Sequence, residues 1–200
     1  HDVITLSDDE LFGRLASHLP FALEPSQRSA WNYQIQHLRT LALELPNAHA
    51  FMEFLIPRMG RRADLILLTN GIVFVIEYKL GASHFDRSSL DQVYGYGLDL
   101  KHFHETSHGL PIVPILVATH APHNDDLHVK WDDDGLARPL SVNAAGLLQV
   151  IHHLCHICNS PPIDTAAWES GRYRPTPTIV EAAQALYQGH AVEEISRSEA

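Results

Sequence analysis

The sequence predicts a single α/β domain with a mixed β-sheet and helices on both faces. Two apolar stretches joined by Asn70-Gly71 indicate a β-hairpin, and residues 111–119 form a continuous apolar run of strand length. Such a run is typical of a strand that is buried on both faces of its sheet. Amphipathic helical patterns precede and follow the hairpin, and 200 residues suffice for one domain with a sizeable core.

The helices follow from capping signals and from the hydrophobic period. Ser7-Asp8-Asp9-Glu10 has the pattern of a capping box and predicts a short helix that ends near Ser17. Apolar residues at helical spacing predict the remaining helices. Their ranges are 26–45, 88–104, 143–157 and 179–189, the last closed by a glycine.

Apolar runs bounded by turn residues predict the strands. The expected ranges are 51–56, 62–68, 72–79, 111–119 and, as a short edge strand, 127–131. The elements then follow one another in the order α-β-β-β-α-β, with further helices downstream. This order predicts the mixed sheet.

The hairpin carries two acids whose positions follow from its turn. Asn-Gly favours a two-residue type I′ turn, which pairs Thr69 with Ile72 and, further along, Asp64 with Glu77. Directly opposed like charges destabilise a strand pair, so these carboxylates need a compensating cation. Lys79 shares a face with Glu77 because side chains alternate along a strand.

Charge is unevenly distributed along the chain. The formal net charge of −10 argues against indiscriminate coating of nucleic acid, which requires a broadly basic surface. Arg58, Arg61 and Arg62 nevertheless lie close to the paired acids in sequence and are candidates for phosphate contacts. No apolar stretch approaches the length of a membrane span and no signal peptide is evident, so we expect a cytoplasmic protein without membrane contacts.

The segment HHLCHIC, residues 152–158, allows a zinc interpretation through Cys155 and Cys158 with a neighbouring histidine. Both cysteines also share a helical face with leucines and isoleucines, and a buried cysteine behaves as a small hydrophobe. The second interpretation, core packing, is favoured.

Helix 88–104 places Gln92 and Tyr96 four residues apart on one face, above the hairpin acids. Asp64, Glu77-Tyr78-Lys79 and Gln92-x-x-x-Tyr96 together resemble the signature of the PD-(D/E)xK nuclease superfamily. The resemblance implies a restriction-endonuclease-like core with the same α-β-β-β-α-β order.

A longer likeness covers roughly residues 50–120. RMGRRADLILL, VFVIEYKLG, DQVYGYGLDLKHFHE and PIVPILVAT resemble the N-terminal nuclease-like domain of bacterial helicase-like P-loop ATPases. The chain contains no G-x-x-x-x-G-K-[ST], so an ATPase or helicase region is expected outside it. We therefore assign 1–160 to a nuclease-like domain and 161–200 to a helical extension towards that region.

The resemblance also implies roles. Asp64, Glu77 and the backbone carbonyl of Tyr78 are expected to hold Mg²⁺ or Mn²⁺. Lys79 is expected to orient water or stabilise developing charge, and Gln92 and Tyr96 to shape the site.

Many relatives carry a further acid on the first long helix, where this chain has Gln34. Glu53 or Glu44 is the expected substitute ligand. The predicted function is a metal-dependent nuclease acting on DNA more readily than RNA. The alternative is a catalytically weak or inactive nuclease-derived module that binds nucleic acid or a partner protein.

Overall fold

The computed structural model describes residues 5–17, 25–56, 60–123, 128–158, 160–184 and 186–187. The helices are α1 (Asp8–Ser17), α2 (Pro25–Glu44), α3 (Arg87–Phe103), α4 (Ala144–Ile157) and α5 (Thr165–Glu169), with a 3₁₀ turn at Glu105–Ser107. The strands are β1 (His49–Leu55), β2 (Arg62–Thr69), β3 (Ile72–Lys79), β4 (Ile112–Ala118) and β5 (Leu140–Val142). Residues 177–184 are also helical.

One mixed sheet of five strands organises the fold, in the order β1-β2-β3-β4-β5. The first three strands are antiparallel, whereas β4 runs parallel to β3 and β5 runs parallel to β4. Parallel neighbours need a crossover, which α3 provides between β3 and β4. The predicted α/β class and mixed sheet are confirmed.

Helices cover both faces of this sheet, as predicted. On one face, α2 and α4 pack against alternate strand residues; these helices contribute Leu38, Leu41, Leu147, Val150, Ile151 and Leu154. On the other face, α3 and α5 pack against the intervening strand residues and contribute Val93, Tyr96, Leu100 and Trp168. All seven residues of β4 are buried, which explains its continuous apolar run.

The turn of the hairpin and the start of the first helix have the predicted structure. Asn70 and Gly71 have φ values of 47° and 75°, the left-handed pair that a type I′ turn requires. At the start of α1, Ser7 N–H donates to Glu10 Oε2 at 2.8 Å, and Glu10 N–H donates to Ser7 Oγ at 3.3 Å. The capping box is confirmed.

The predicted edge strand at 127–131 is wrong for its described part. Residues 128–130 form no strand, and Trp131 makes only an isolated bridge to Ala137. The chain folds back on itself here: Asp132 N–H donates to Leu136 O at 2.8 Å, and Arg138 N–H donates to Lys130 O at 2.8 Å. The fifth strand is instead β5, which the sequence pattern did not reveal.

The first part of the predicted extension, 161–200, packs on the sheet rather than leading away from it. Trp168 of α5 is 1% exposed, and Tyr173 bridges His104 at the end of α3. The predicted helix 179–189 begins earlier, at residue 177, and residues 177–184 are helical. Residues 185, 188 and 189 lie outside the described residues.

The two cysteines lie on α4 and at its end, and both are partly buried against the core. Burial raises the pKa of both thiols. Their packing role is confirmed. Among the described helices, none is long and apolar enough to cross a membrane.

Candidate functional site

The hairpin has the predicted register, and this register determines where the two acids lie. The strand pairing runs from Thr69 opposite Ile72 as far as Leu65 opposite Ile76. One step further, the side chain of Asp64 replaces the regular ladder contact, since its Oδ2 accepts the Tyr78 N–H at 2.8 Å. Asp64 is thereby fixed beside Glu77 at the open end of the hairpin.

Strand β1 carries a third carboxylate near Asp64 and Glu77. Glu53 lies between the pairs Met52–Leu65 and Phe54–Ala63, opposite Asp64. Its φ is 54°, a left-handed conformation that costs about 1–3 kcal/mol for a residue other than glycine. The indole N–H of Trp31, on α2, donates to Glu53 Oε1 at 2.6 Å.

Helix α3 connects the acids to Lys79 through one amide. Gln92 Nε2 donates to Glu77 Oε1 at 2.9 Å and to the Tyr96 hydroxyl at 2.7 Å. Lys79 Nζ donates to Gln92 Oε1 at 3.3 Å and to Glu77 Oε1 at 3.0 Å. An ammonium only donates, so the amide oxygen must face Lys79 and the amide nitrogen must face Glu77. The predicted meeting of Gln92, Tyr96 and the hairpin is confirmed.

The start of α3 is held by a residue that we did not single out in the sequence. Asp86 caps the helix by accepting the Ser89 N–H at 2.8 Å and the Ser88 hydroxyl at 2.6 Å. These bonds hold the pKa of the Asp86 carboxyl well below its usual range. An Asp directly before a helical pattern is a helix-start signal that could have identified it.

Burial makes the paired acids hard to ionise together. Burial, and then the neighbouring charge of Glu77, raise the pKa of Asp64 to about 7. Burial also raises the pKa of Glu77, against the opposing effect of the Lys79 ammonium. A nearby cation of higher charge would favour the ionised form of both groups.

The acids open into a cleft of about 560 Å³. It is lined by side chains from α2, from the ends of β2 and β3, and from the loop that leads to α3; these include Ala30, Gln34, Asp64, Glu77, Lys79, Leu80, His84 and Asp86. Glu77 Oε2 and Gln34 Oε1 are buried and have no hydrogen-bond partner among the described residues. Because buried polar atoms are nearly always paired, two open oxygens lining one cleft need an explanation.

The cleft offers a pair of carboxylates to a metal, those of Asp64 and Glu77. Within the described parts of the chain, no three His, Cys, Asp or Glu side chains form a group that could hold a metal. Glu53 therefore does not complete a triad with Asp64 and Glu77, and one of its oxygens is used by Trp31. Mg²⁺ often binds through only one or two carboxylates and keeps several waters, so a pair with neighbouring neutral oxygens suits it.

The prediction that Glu44 could be the substitute metal ligand is wrong. It lines a different cavity beside Thr69 and Asn70, at the turn of the hairpin. Asp64 lies six residues before that turn, which corresponds to roughly 20 Å along a strand. Gln34, by contrast, does reach the cleft from α2.

The three arginines differ in placement. Arg61 is exposed and lines a second cavity together with Gln92. Arg62 is partly buried at the start of β2. Arg58 lies outside the described residues. Of the three arginines, Arg61 is therefore the best candidate for the predicted phosphate contact.

Comparisons with protein-family models, with curated proteins and with solved structures found no match to this chain.

Proposed function

We propose that this protein is a divalent-metal-dependent nuclease of the PD-(D/E)xK type, with a restriction-endonuclease-like core. The observation that carries the proposal is the unpartnered Glu77 Oε2, buried next to Asp64 at the end of the hairpin. The order of α2, β1–β3, α3 and β4 agrees with the α-β-β-β-α-β core that the resemblance implies.

In this proposal Asp64 and Glu77 hold Mg²⁺ or Mn²⁺, with the Tyr78 carbonyl as a backbone donor. The Tyr78 side chain supports that position from the opposite face, where its hydroxyl lies 3.0 Å from His37 Nδ1. A bound divalent ion would polarise the phosphodiester and acidify a bound water. Glu53 stays a candidate outer partner, held away by Trp31.

Lys79 supplies the positive charge that the chain itself brings to the reaction. Its side chain is 32% exposed, whereas that of Glu77 is 6% exposed, so the ammonium lies on the solvent side of the acids. There it can orient the attacking water or stabilise charge on the phosphoryl oxygens. Water oxygen attacks phosphorus, the bond to the leaving sugar oxygen breaks, and that oxygen takes up a proton.

Gln92 and Tyr96 act as positioning residues. Gln92 fixes Glu77 and Lys79 relative to each other, and Tyr96 fixes Gln92. Burial raises the pKa of Tyr96, so its hydroxyl stays protonated near neutral pH. This arrangement reduces the reorganisation that the site needs when charge develops in the transition state.

A second candidate function is a nuclease-derived module that binds nucleic acid or a partner protein without cutting. Gln34 favours it, because an uncharged amide stands where a carboxylate would add negative charge to the metal site. In either case we propose that the domain acts beside an ATPase or helicase region of a longer protein.

The test is cleavage of labelled single- and double-stranded DNA and RNA with Mg²⁺, Mn²⁺ or EDTA. We expect metal-dependent products that disappear in Asp64→Asn and persist in Asp133→Asn, a matched change at an exposed acid outside the cleft. Products that survive in Asp64→Asn would refute the nuclease. Binding without products in any metal would favour the second candidate.

A further inference from the structure

A second cavity adjoins the cleft that holds the acids. Its volume is about 450 Å³, and its lining residues are Arg61, Ser88, Asp91, Gln92 and Gly95. Gln92 forms the boundary between the two spaces, because it lines this cavity and hydrogen-bonds Glu77 and Lys79 of the other. The cleft, which holds the proposed reacting centre, and the second cavity thus meet at Gln92.

A glycine of α3, Gly95, lines the second cavity. A Cβ added at Gly95 would meet nothing within 4 Å. Glycine in a helix interior costs about 1 kcal/mol relative to alanine, and the turn of α3 around Gly95 offers no packing reason for this cost. A larger side chain at Gly95 therefore has room beside α3.

The charges along the cleft and the second cavity suit one phosphate chain better than two. Arg61 supplies the cation of the second cavity and lies close enough to lower the pKa of Tyr96. Lys79 supplies the cation of the cleft. Of the aspartates nearby, Asp86 is used at the helix cap, and Asp91 lies 3.8 Å from Arg87 in a largely exposed ion pair. Among the described residues that line the two spaces, Lys79 and Arg61 are the lysine and the arginine, whereas a duplex presents two phosphate backbones and calls for a broader basic surface.

The cleft also offers an apolar contact. Leu80 follows Lys79, lines the cleft and is 40% exposed. Single-strand binding combines cations along the backbone with apolar or aromatic contacts to unstacked bases. Leu80 is suitably placed for such a contact next to the acids.

We propose that the cleft and the second cavity form one track for a single polynucleotide strand, with the scissile phosphate at Glu77 and Lys79 and a neighbouring phosphate at Arg61. This inference rests on the proposed nuclease function and specifies its substrate class. Gly95 lines the part of the track that lies beside Arg61.

The test fills the track without touching the reacting groups. Gly95→Leu places a side chain in the second cavity, and Gly13→Leu is its matched control. Gly13 lies within α1, and a Cβ there also meets nothing within 4 Å. Both changes raise helix propensity, so loss of fold is not expected in either. Substrates are a labelled single-stranded DNA, the same sequence as RNA, a blunt duplex, and bis(p-nitrophenyl) phosphate, which is too small to need the track.

We expect the wild type to cleave the single strand at least about tenfold faster than the duplex. Gly95→Leu should reduce strand cleavage at least about tenfold more than it reduces hydrolysis of bis(p-nitrophenyl) phosphate, whereas Gly13→Leu should resemble the wild type. The DNA and RNA arms identify the strand chemistry. The track would be overturned if Gly95→Leu lost activity equally on the single strand and on bis(p-nitrophenyl) phosphate, or lost none on the single strand. A wild type that prefers the duplex would also overturn it.

Failure of the proposed function gives a different pattern. If the wild type hydrolyses neither the strand nor the small diester with Mg²⁺ or Mn²⁺, the nuclease proposal fails. Binding of the labelled polynucleotide strand, measured by fluorescence anisotropy, then tests the proposed track independently of cleavage. Weaker binding by Gly95→Leu, and an Arg61→Gln variant whose salt slope falls by about one, would support it. Unchanged binding in both variants would overturn it.

Discussion

Two polar clusters lie at the two ends of α3, and they satisfy their hydrogen bonds differently. At the C-terminal end, Ser107 Oγ lies 2.7 Å from His104 Nδ1 and accepts from Trp168 Nε1 at 2.9 Å. At the N-terminal end, Glu77 and Gln34 each keep a buried oxygen without a partner. Among the described residues, none of these three side chains has such an atom, although the neighbouring His108 Nε2 and Thr176 Oγ1 do.

Under the proposed function, the first cluster has a structural role and the second is the binding site. A closed set of buried hydrogen bonds stabilises the fold and leaves nothing for a ligand. An open set costs stability unless a ligand completes it, which is how binding sites are usually built. Burial lowers the pKa of His104 to about 4, so the closed cluster is uncharged at neutral pH. The open cluster instead combines two acids with Lys79.

The largest expected effect concerns the closed cluster. Trp168→Ala removes an indole whose ring centroid lies 5.4 Å from that of Phe51 and 5.1 Å from that of Phe54. We expect the free energy of unfolding to fall by about 3–5 kcal/mol, as for other large aromatic truncations. Urea denaturation measures it. Trp168→Phe, which keeps a ring but loses the bond to Ser107, should lose less. A small loss in Trp168→Ala would show that this cluster does not support the fold.

The second effect concerns Lys79 and catalysis. Lys79→Ala should lower the rate of phosphodiester cleavage about 10²–10³-fold, as expected for loss of a group that stabilises transition-state charge. Lys79→Arg should retain part of the activity because it keeps the charge. Steady-state kinetics at saturating Mn²⁺ measure both rates. A rate in Lys79→Ala within about twofold of the wild type would remove Lys79 from the reaction.

The third effect is a pH-dependent response to metal. The pKa of Asp64 is about 7 in the folded protein, against an ordinary value of 3.8. Between these values the folded state binds more protons than the unfolded state, so stability falls as pH rises through this window. In EDTA we expect the Tm of the wild type to fall relative to that of Asp64→Asn between about pH 4 and pH 7.

Metal should reverse this loss, because it binds the ionised carboxylates. Mn²⁺ at a hundredfold excess over its Kd stabilises by about 2.7 kcal/mol, so the thermal shift should be large above pH 7 and small near pH 5. Thermal scans with Mn²⁺ and with EDTA measure it. A shift that is the same at both pH values, or that persists in Asp64→Asn, would contradict the assignment.

The smallest effect comes from the open oxygen of Gln34. Gln34→Leu removes a buried amide whose oxygen has no partner, so we expect stability in EDTA to stay level or rise by up to about 1 kcal/mol. Gln34→Glu should do the opposite: it lowers the Tm in EDTA and enlarges the shift with Mn²⁺. A Gln34→Leu variant that is much less stable would show that the amide is bonded within the fold.

Local pattern was enough to predict the hairpin and its network. The Asn70-Gly71 turn fixes the register, and the four-residue spacing fixes which face of α3 meets the acids. Strand β5 was missed because its three residues gain their structure from pairing with Ile115, Leu116 and Val117 of β4. No periodic signal can develop over so short a stretch.

Parts of the site depended on tertiary contacts and could not be predicted. The left-handed backbone of Glu53 and its bond to Trp31 join β1 to α2 across 22 positions of the sequence. Gln34 was recognised as a departure from the resemblance, but the open state of its oxygen depends on what surrounds it. Trp168 lies in a five-residue helix whose role emerges only through its packing on β1 and His104.

Calorimetric titration of Mn²⁺ into the wild type and into Asp64→Asn at pH 7.5 tests the proposed metal site. In that site, Asp64 and Glu77 at the end of the hairpin bind a divalent cation, and the unpartnered Glu77 Oε2 is one of the ligand atoms. The proposed site predicts saturable binding to the wild type that is lost or greatly weakened in Asp64→Asn and retained in Asp133→Asn. Equal binding to all three proteins, or no binding to the wild type, would contradict it.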